Sequence, residues 1–537
     1  MRVLNRVADV GNRLPDPSTL FALLAIGVMV LSAVLAGQSV ELMERDGTMA
    51  TREVQSLLGS TGIRWIFDNM ILNFTSFAPL GSVLTVMLGI GIAERTGLIA
   101  AGLRYLVQSV PASMMTATLV FAGVMSSMAA DAGYVVLTPL GAVLFAGLGR
   151  HPLAGLAAAF AGVSGGFSAN LLITGLDPLL AGLSTEAARM VDPEYTVYAT
   201  ANWYFMVAST FLITLVGTLV TTRIVEPMLG PWNPANGQGG DNGAAAPDGQ
   251  NERPEHPDVL EPSVVTSADV APAKSFGVSE QQAFVYAMGS ALLVLLGIVW
   301  LATAGASPLR DPVEDGQAAM DALHPFFEAI ELLIAVLFAV PAVVFGWLNG
   351  TVRSDRDVAR MMTETMATMG AYIVLAFAAA QFVAFFNWTN LGAVTAVRGA
   401  DLLVSLQLTG FPLLLAFIVV SALMNLVMGS ASAKWAFMAP IFVPMLMMMG
   451  FSPEATQAAY RVGDSVTNVI SPLLPYVPII IIFGRRYDRN MGMGTLMATM
   501  LPYSVAFAIA WTALLGIWLG LDIPLGPGVS ASWSAGQ

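Results

Sequence analysis

The segment 422–476 constrains the fold of this chain most, because it is apolar enough to enter a membrane and yet is broken twice by polar residues. Its first apolar run ends at a cluster of small and polar residues, 425–434, and a second run, 435–449, follows. A further segment begins at Pro453 and reaches another break at Ser471-Pro472. Charged groups in such sequence cost about 2.5–3.5 kcal/mol each on insertion scales, and they are retained where they bind something or line a water-filled cavity.

The same pattern occurs earlier, in the segment 126–178. When Pro139 is aligned with Pro440, both copies have a proline thirteen residues later and an aromatic residue, Tyr134 or Trp435, five residues earlier. Paired, interrupted hydrophobic segments in the two halves of a chain indicate the binding site of a transporter. The alternative is a membrane core with irregular Gly and Pro kinks.

Composition places the chain in a lipid bilayer. Of its 537 residues 56% are hydrophobic and 11% are charged, with a mean hydropathy of +0.71, whereas soluble proteins carry about 25% charged residues. The absence of cysteine excludes disulfides, thiolate catalysis and cysteine-ligated metals. The net charge of −13 argues against nucleic acid as a partner.

Nine spans and two re-entrant hairpins are predicted, since a span needs about 20 apolar residues to cross the hydrocarbon core. The spans are 18–36, 77–92, 152–183, 198–222, 282–301, 326–348, 365–386, 453–483 and 494–519. The hairpins are 111–149 and 411–449, and the spans that follow them, 152–183 and 453–483, are interrupted. The predicted fold is therefore an all-α polytopic membrane protein with inverted structural repeats and two opposed re-entrant hairpins.

Basic residues predict the orientation, because Lys and Arg are enriched in cytoplasmic loops. Arg2, Arg6 and Arg13 place the N-terminus in the cytoplasm, and the clusters 353–360 and 485–489 fall on the same side. The C-terminus is then external. The polar stretch Asn387–Gly410, between the seventh span and hairpin 411–449, is external as well.

A polar segment divides the chain. Residues 231–274 are rich in Gly, Asn, Asp, Pro and Glu and cannot bury enough apolar surface to fold, which predicts a disordered cytoplasmic linker. The first half, 1–230, holds spans one to four and hairpin 111–149. The second half, 275–537, holds spans five to nine and hairpin 411–449.

Five charged residues lie inside the predicted membrane segments: Asp131, Asp177, Lys434, Arg461 and Asp464. Asp131 and Lys434 lie at the two hairpin tips, where they either pair with each other or contact a ligand. Arg461 and Asp464 are three residues apart and share one helix face. They either neutralise each other or supply a guanidinium for an anionic substrate and a carboxylate for a cation or proton.

Neutral polar residues accompany these charges. Asn425, Asn468 and the carbonyls of the broken helices are oxygen ligands of the kind that hold Na⁺ in such folds, and Asn170 is the counterpart in the first half. Trp435 is either a stacking surface for an aromatic substrate group or a packing residue.

One motif favours an enzyme. Gly162-Val163-Ser164-Gly165 matches the GxSG of rhomboid-type intramembrane proteases, whose chemistry needs a histidine base inside the membrane. His151, His256 and His324 lie at a span end, in the linker and in an external loop. Close packing of small residues explains the motif better. The sequence also has no Walker motif, so transport powered by ATP hydrolysis within this chain is not expected. We therefore expect no enzymatic activity.

Longer stretches are similar to a known family. The opening GNRLPDPSTLF, the first-half SANLLITGLDPLLAG and the second-half GSASAKWAFMAPIFVPM, followed by SPEATQAAYRVGDSVTNVISPLLPYVPI, resemble the p-aminobenzoyl-glutamate transporter (AbgT) family over essentially the whole chain. The resemblance implies a homodimer in the bacterial inner membrane, with nine helices and two hairpins per subunit, a cytoplasm-facing bowl and a periplasmic C-terminus. It implies transport of p-aminobenzoyl-glutamate or related folate-pathway compounds, and some members resemble exporters of p-aminobenzoate and sulfonamides.

The resemblance also implies roles for individual residues. Substrate or transport positions fall on Asp177, Trp435, Pro453 and Arg461, to which the repeat adds Asn170. A sodium site falls on Asn425 and Asp464, to which the residue pattern adds Asn468.

The expected function is ion-gradient-driven export of aromatic carboxylates or sulfonamide antimetabolites, with Na⁺, H⁺ or both as the coupling ion. The alternative is a sodium-coupled importer of aminobenzoyl-glutamate or of dicarboxylates.

Overall fold

The computed structural model describes residues 15–43, 49–108, 110–129, 133–232, 278–305, 307–312, 321–474, 476–489 and 491–534. These residues are helical except for loops and one antiparallel hairpin, in which β1 (Ser39–Met43) pairs with β2 (Met49–Glu53). Within this described part, nine helices are long and apolar enough to cross a membrane. The prediction of an all-helical polytopic membrane protein is confirmed.

Four helices precede the first predicted hairpin. They are α1 (Pro17–Val34), α2 (Ser60–Thr75), α3 (Ala78–Arg95) and α4 (Leu98–Gln108). Asp16 caps α1 by accepting from the Ser18 amide at 2.8 Å, which satisfies a backbone donor that the first turn leaves free. The stretch between the first two predicted spans, 18–36 and 77–92, contains the β-hairpin and α2.

The first predicted hairpin and the broken span after it follow in order. They comprise α5 (Met115–Met125), α6 (Thr138–Gly147), α7 (Pro152–Phe160) and α8 (Leu176–Ala188). A π-helical turn, Ala161–Gly165, ends α7, and non-helical backbone separates it from α8. The predicted interruption of this span is confirmed. The hairpin tip with Asp131 lies outside the described residues.

A long helix closes the first half. It consists of α9 (Trp203–Val220), a π-helical turn and α10 (Glu226–Leu229). The predicted linker 231–274 lies almost wholly outside the described residues, so its disorder stays a prediction.

The second half opens with five helices. They are α11 (Glu280–Thr303), α12 (His324–Glu328), α13 (Ile330–Asn349), α14 (Asp355–Thr368) and α15 (Gly370–Trp388). Helix α1 packs on α15, and α13 packs on both α3 and α11. The stretch Asn387–Gly410 is mostly helix α16 (Leu391–Ser405), whose Leu391, Val394 and Ala396 are buried.

The second hairpin and broken span repeat the order of the first. They comprise α17 (Gly410–Val427), α18 (Ala431–Met448), α19 (Pro453–Asn468) and α20 (Val477–Arg485), and α21 (Met493–Gly520) closes the chain. The nine membrane-length helices include both arms of this hairpin, α17 and α18, and leave out the shorter pieces of the two broken spans. The sidedness of the hairpins stays a prediction.

Helix α19 lies at the centre of the packing. Although its sequence is polar, Thr467 alone among its residues is not buried. It packs against α17, α18 and α21, while α18 packs against α8 of the first half. Gly463 permits the contact with α17, since a Cβ there would lie 2.5 Å from the carbonyl oxygen of Ile418.

We predict that Gly463→Ala lowers the melting temperature of the detergent-purified protein, because overpacking a close contact costs about 1–3 kcal/mol. The matched control is Gly81→Ala in α3, where no atom lies within 4 Å of the added Cβ. Equal melting temperatures for Gly463→Ala and the wild type would contradict the close α17–α19 contact.

Candidate transport site

The site is built on one face of α19. Arg461, Asp464 and Asn468 follow one another at spacings of three and four residues, so their side chains project from the same side of the helix. Ser452 caps this helix by accepting from the Ala455 amide at 3.1 Å. Pro453 follows as the first helical residue, where no backbone N–H is needed. It is buried at the helix start.

Arg461 pairs with the first half of the chain. Its Nη2 donates to Oδ1 of Asp177, in the first turn of α8. Asp177 Oδ2 also accepts from the Thr174 amide at 2.6 Å and from Thr174 Oγ1 at 2.9 Å. The guanidinium is 2% exposed, and its Nε has no hydrogen-bond partner within the described residues. The site therefore contains a buried cation, Arg461, one of whose N–H groups has no hydrogen-bond partner within the described residues.

Asp464 pairs with Lys434 at the start of α18. Lys434 Nζ donates to Oδ1 of Asp464 and to Oδ1 of Asn425. The Asn425 amide donates in turn to the Asp464 carbonyl at 2.6 Å and to Asn468 Oδ1 at 2.8 Å. The ammonium and the carboxylate are 0% and 1% exposed. The structure thus brings the three predicted sodium ligands together and places a lysine among them.

These contacts correct one alternative and leave another untested. Arg461 and Asp464 do not neutralise each other, because each has its own partner from another helix. Lys434 is neutralised by Asp464, and its predicted partner Asp131 lies outside the described residues. The spacing of three residues allowed a pair between Arg461 and Asp464. In the structure Arg461 instead pairs with Asp177 of α8, and Asp464 pairs with Lys434 of α18.

Trp435 lies in the contact between α18 and α8. Its indole is fully buried, and Nε1 donates to Ser184 Oγ at 3.1 Å and to the Leu180 carbonyl at 3.2 Å. The ring packs on Tyr460 with centroids 4.5 Å apart. Both faces are covered in this conformation, so a role in stacking on substrate stays a prediction that requires movement.

Asn170 in the first half and Asn468 in the second half each form a hydrogen bond with the hairpin of their own half. Asn170 Nδ2 donates to Ser127 Oγ of the first hairpin at 2.7 Å, while Asn468 accepts from Asn425 of the second hairpin. Each broken helix is thereby tied to the hairpin of its own half. The repeat read from the sequence extends to hydrogen bonding.

A cleft of about 430 Å³ lies beside this cluster. Both hairpins, both helix breaks, α3 and α15 line it, and Ser127, Ser430 and Asn468 contribute polar groups. Tyr134 and Tyr476 stack there with ring centroids 4.2 Å apart and planes inclined by 7°. A cavity of about 10 Å³, roughly the size of one water, adjoins it and is lined by Asn170, Asp177 and Arg461 among others.

The sequence indicated a position near the site for one of these two tyrosines. The alignment of the repeats pairs Tyr134 with Trp435, which places Tyr134 in the first hairpin. Tyr476 carried no such signal beyond its place after the second helix break.

The GxSG motif is a packing element. Ser164 is fully buried in the π-helical turn that ends α7, and a Cβ on Gly123 of the first hairpin would lie 2.8 Å from Gly162 Cα. His151 caps α7, where its Nδ1 accepts from the Leu153 amide at 3.3 Å. Burial lowers the pKa of His151, against the opposing effect of nearby Asp488 and Glu226. The neutral ring suits this cap.

A polytopic helical protein with two broken helices, and with two hairpins whose polar ends meet them around a cleft, has the architecture of a secondary transporter. Sequence comparison identifies the group. Residues 2–246 and 262–533 match the family described as "AbgT putative transporter family", and the chain belongs to this family. It is a transporter-family protein and not an enzyme.

Three relatives illustrate the likeness. The p-aminobenzoyl-glutamate transport protein of Escherichia coli K12 is 36% identical over 524 residues, which are 97% of this chain and 96% of that protein. The Alcanivorax borkumensis YdaH transporter structure has a TM-score of 0.81 at 43% identity, covering 96% of this chain and 100% of that one. Neisseria gonorrhoeae MtrF, described within a class of antimetabolite efflux pumps, has a TM-score of 0.85 at 44% identity, with coverage of 98% and 100%.

We predict that double-mutant cycles detect coupling between Arg461 and Asp177 but not between Arg461 and Asp464. Alanine at Arg461 or Asp177 leaves the other charge buried without its partner, which costs about 3–5 kcal/mol. The double variant loses less than the sum, with a coupling energy of about 1–3 kcal/mol. Melting temperatures of the purified variants measure both cycles. Stronger coupling in the Arg461–Asp464 cycle would contradict the observed pairing.

Proposed function

We propose that this protein is an ion-gradient-driven secondary transporter that exports p-aminobenzoate-type folate-pathway compounds and sulfonamide antimetabolites. The observation that carries the proposal is the buried Arg461–Asp177 pair beside a cleft with stacked aromatic side chains. The description of MtrF and the name of the E. coli relative support this substrate class.

The cleft suits a flat aromatic molecule with polar ends. Its volume lies within the range of about 300–1,000 Å³ typical of small-molecule sites. Tyr134 is buried and stacks on Tyr476, so a substrate benzene ring would stack offset against the other face of the partly exposed Tyr476. Ser127, Ser430 and Asn468 supply hydrogen-bonding groups. Arg461 is among the residues that line the adjoining small cavity, and its Nε has no hydrogen-bond partner within the described residues, so the guanidinium can bind a carboxylate or sulfonyl oxygen once movement opens that cavity.

Asp177 couples substrate to protons in this proposal. An ionised carboxylate accepts hydrogen bonds, whereas its protonated form becomes a donor. An aromatic amine or sulfonamide N–H therefore binds Asp177 only when the proton has left. Because the proton and the substrate compete for one group, protons moving inward drive substrate outward.

The remaining site residues shape this region. Pro453 sets the start of α19 and hence the position of Arg461 along it. Trp435 holds α18 against α8 through Ser184 and becomes accessible to substrate when the hairpin moves. Asn170 ties the first helix break to its hairpin. We further propose, from the family resemblance, a homodimer in the bacterial inner membrane with a cytoplasmic N-terminus and a periplasmic C-terminus.

Uptake of anionic aminobenzoyl-glutamate is the second candidate, and the partner of Arg461 favours it. An anion that takes the guanidinium displaces Asp177, which is then left buried without its cation. Such a carboxylate takes up a proton, since burial disfavours the charged form. Anion and proton then bind together, and both move inward.

We predict that Arg461→Ala abolishes p-aminobenzoate flux in proteoliposomes while the amount of reconstituted protein stays normal. The reason is the loss of the buried guanidinium that binds the substrate oxygen. Arg104→Ala is the control, since Arg104 pairs with Glu280 at 2.5 Å in a half-exposed position away from the cleft. Normal flux through Arg461→Ala would refute the substrate site.

We predict that Asp177→Asn abolishes accumulation driven by a pH gradient and preserves exchange of labelled for unlabelled substrate. The amide keeps the shape of the carboxyl group but takes up no proton in the physiological range. In the wild type, export predicts accumulation on the acidic side, and uptake predicts accumulation on the alkaline side. Protein-free vesicles correct for passive entry of the weak acid. Undiminished gradient-driven accumulation in Asp177→Asn would exclude this carboxylate as the coupling group.

A further inference from the structure

The oxygen cluster formed by Asn425, Asp464 and Asn468 is where the family resemblance implies sodium. Its residue types suit a hard cation, because they offer carboxylate and amide oxygens next to a helix break. Whether sodium fits depends on which of these oxygens are free.

Most of the cluster's oxygens already have partners. Asp464 Oδ1 and Asn425 Oδ1 both accept from Lys434 Nζ. The Asp464 carbonyl and Asn468 Oδ1 accept from the Asn425 amide at 2.6 and 2.8 Å. Asp464 Oδ2 is the oxygen of this cluster without a hydrogen-bond partner in the described part of the chain. The other oxygens each keep a second lone pair, but a sodium ion bound to them would lie beside the Lys434 ammonium, to which Asp464 Oδ1 and Asn425 Oδ1 are already bound.

Charge excludes sodium as well. Lys434 is 0% exposed, so its ammonium is not screened by solvent, and a second cation on Asp464 would be repelled by it. Lys434 Nζ donates to two buried acceptors, Asp464 Oδ1 and Asn425 Oδ1, so its rotation into water would break both contacts and leave the Asp464 carboxylate buried without its partner. The residues present therefore do not fit a sodium ion.

We infer that the ammonium of Lys434 is the resident cation of this cluster, and that the protein neither binds sodium there nor requires it for transport. The lysine is part of the second hairpin, so it connects α18 to α17 and α19 as a bound ion would. Unlike an ion, it is always present, with one ammonium group at each site. The statement on transport rests on the function proposed above; the statement on binding does not.

The test measures sodium-specific stabilisation without substrate. The melting temperature of purified wild-type protein is recorded in NaCl, KCl and choline chloride at equal ionic strength. We expect three equal values for the wild type. In Lys434→Met, which has a side chain of similar length and no charge, Asp464 and Asn425 are released, and we expect a saturable rise of several degrees in NaCl alone. A sodium-specific rise in the wild type, or none in Lys434→Met, would overturn the inference.

A double variant controls for an unpaired carboxylate. Lys434→Met combined with Asp464→Asn removes both charges, so it should fold and show no sodium response. If Lys434→Met is recovered folded only from sodium-containing buffer, that supports the inference. If Lys434→Met does not fold in any of the three salts, the comparison of wild-type melting temperatures in those salts decides the question.

Flux is measured separately, with choline replacing sodium on both sides of the membrane, and should stay within about twofold of the value in sodium. Loss of flux in both salts would refute the proposed transport function and leave the binding result standing.

Discussion

The structure depends on the burial of a charged helix. Helix α19 carries Arg461 and Asp464 into the packed centre of the protein, where an uncompensated charge would cost several kcal/mol. Each charge is matched from a different segment, Asp177 from the first half and Lys434 from the second hairpin. These two ion pairs therefore join α19 to the first half of the chain and to the second hairpin.

The arrangement separates two tasks along one helix face. At the middle of α19, Arg461 joins the two halves and lies beside the cavity that adjoins the cleft. Near its end, Asp464 joins the second hairpin through Lys434 and Asn425. The first pair is next to space for a ligand, whereas the second is closed by its own hydrogen bonds. A ligand can therefore compete for Arg461 more easily than an ion can compete for Asp464.

The sequence predicted the architecture well because its signals are local. Hydropathy located the membrane segments, and the prolines and small residues located the breaks after α7 and α19. It failed on the ion pairs because these are tertiary: Arg461 and Asp177 are 284 positions apart, while the spacing of Arg461 and Asp464 suggested a local pair. Tyr476 was missed for the same reason, since its stacking on Tyr134 is visible only once the two halves meet.

The charge balance of the site limits what it can carry. Within the buried network Arg461, Asp177, Lys434 and Asp464 sum to zero formal charge, while the exposed Glu94 adds a carboxylate to the cleft wall. In the proposed mechanism, a neutral sulfonamide enters without altering this balance, and its binding depends on hydrogen bonds to Asp177 and on stacking. An anion adds a charge, which the proposal balances with a proton on the displaced Asp177. If Asp177 is the coupling group, the charge of the substrate decides whether proton and substrate compete or travel together.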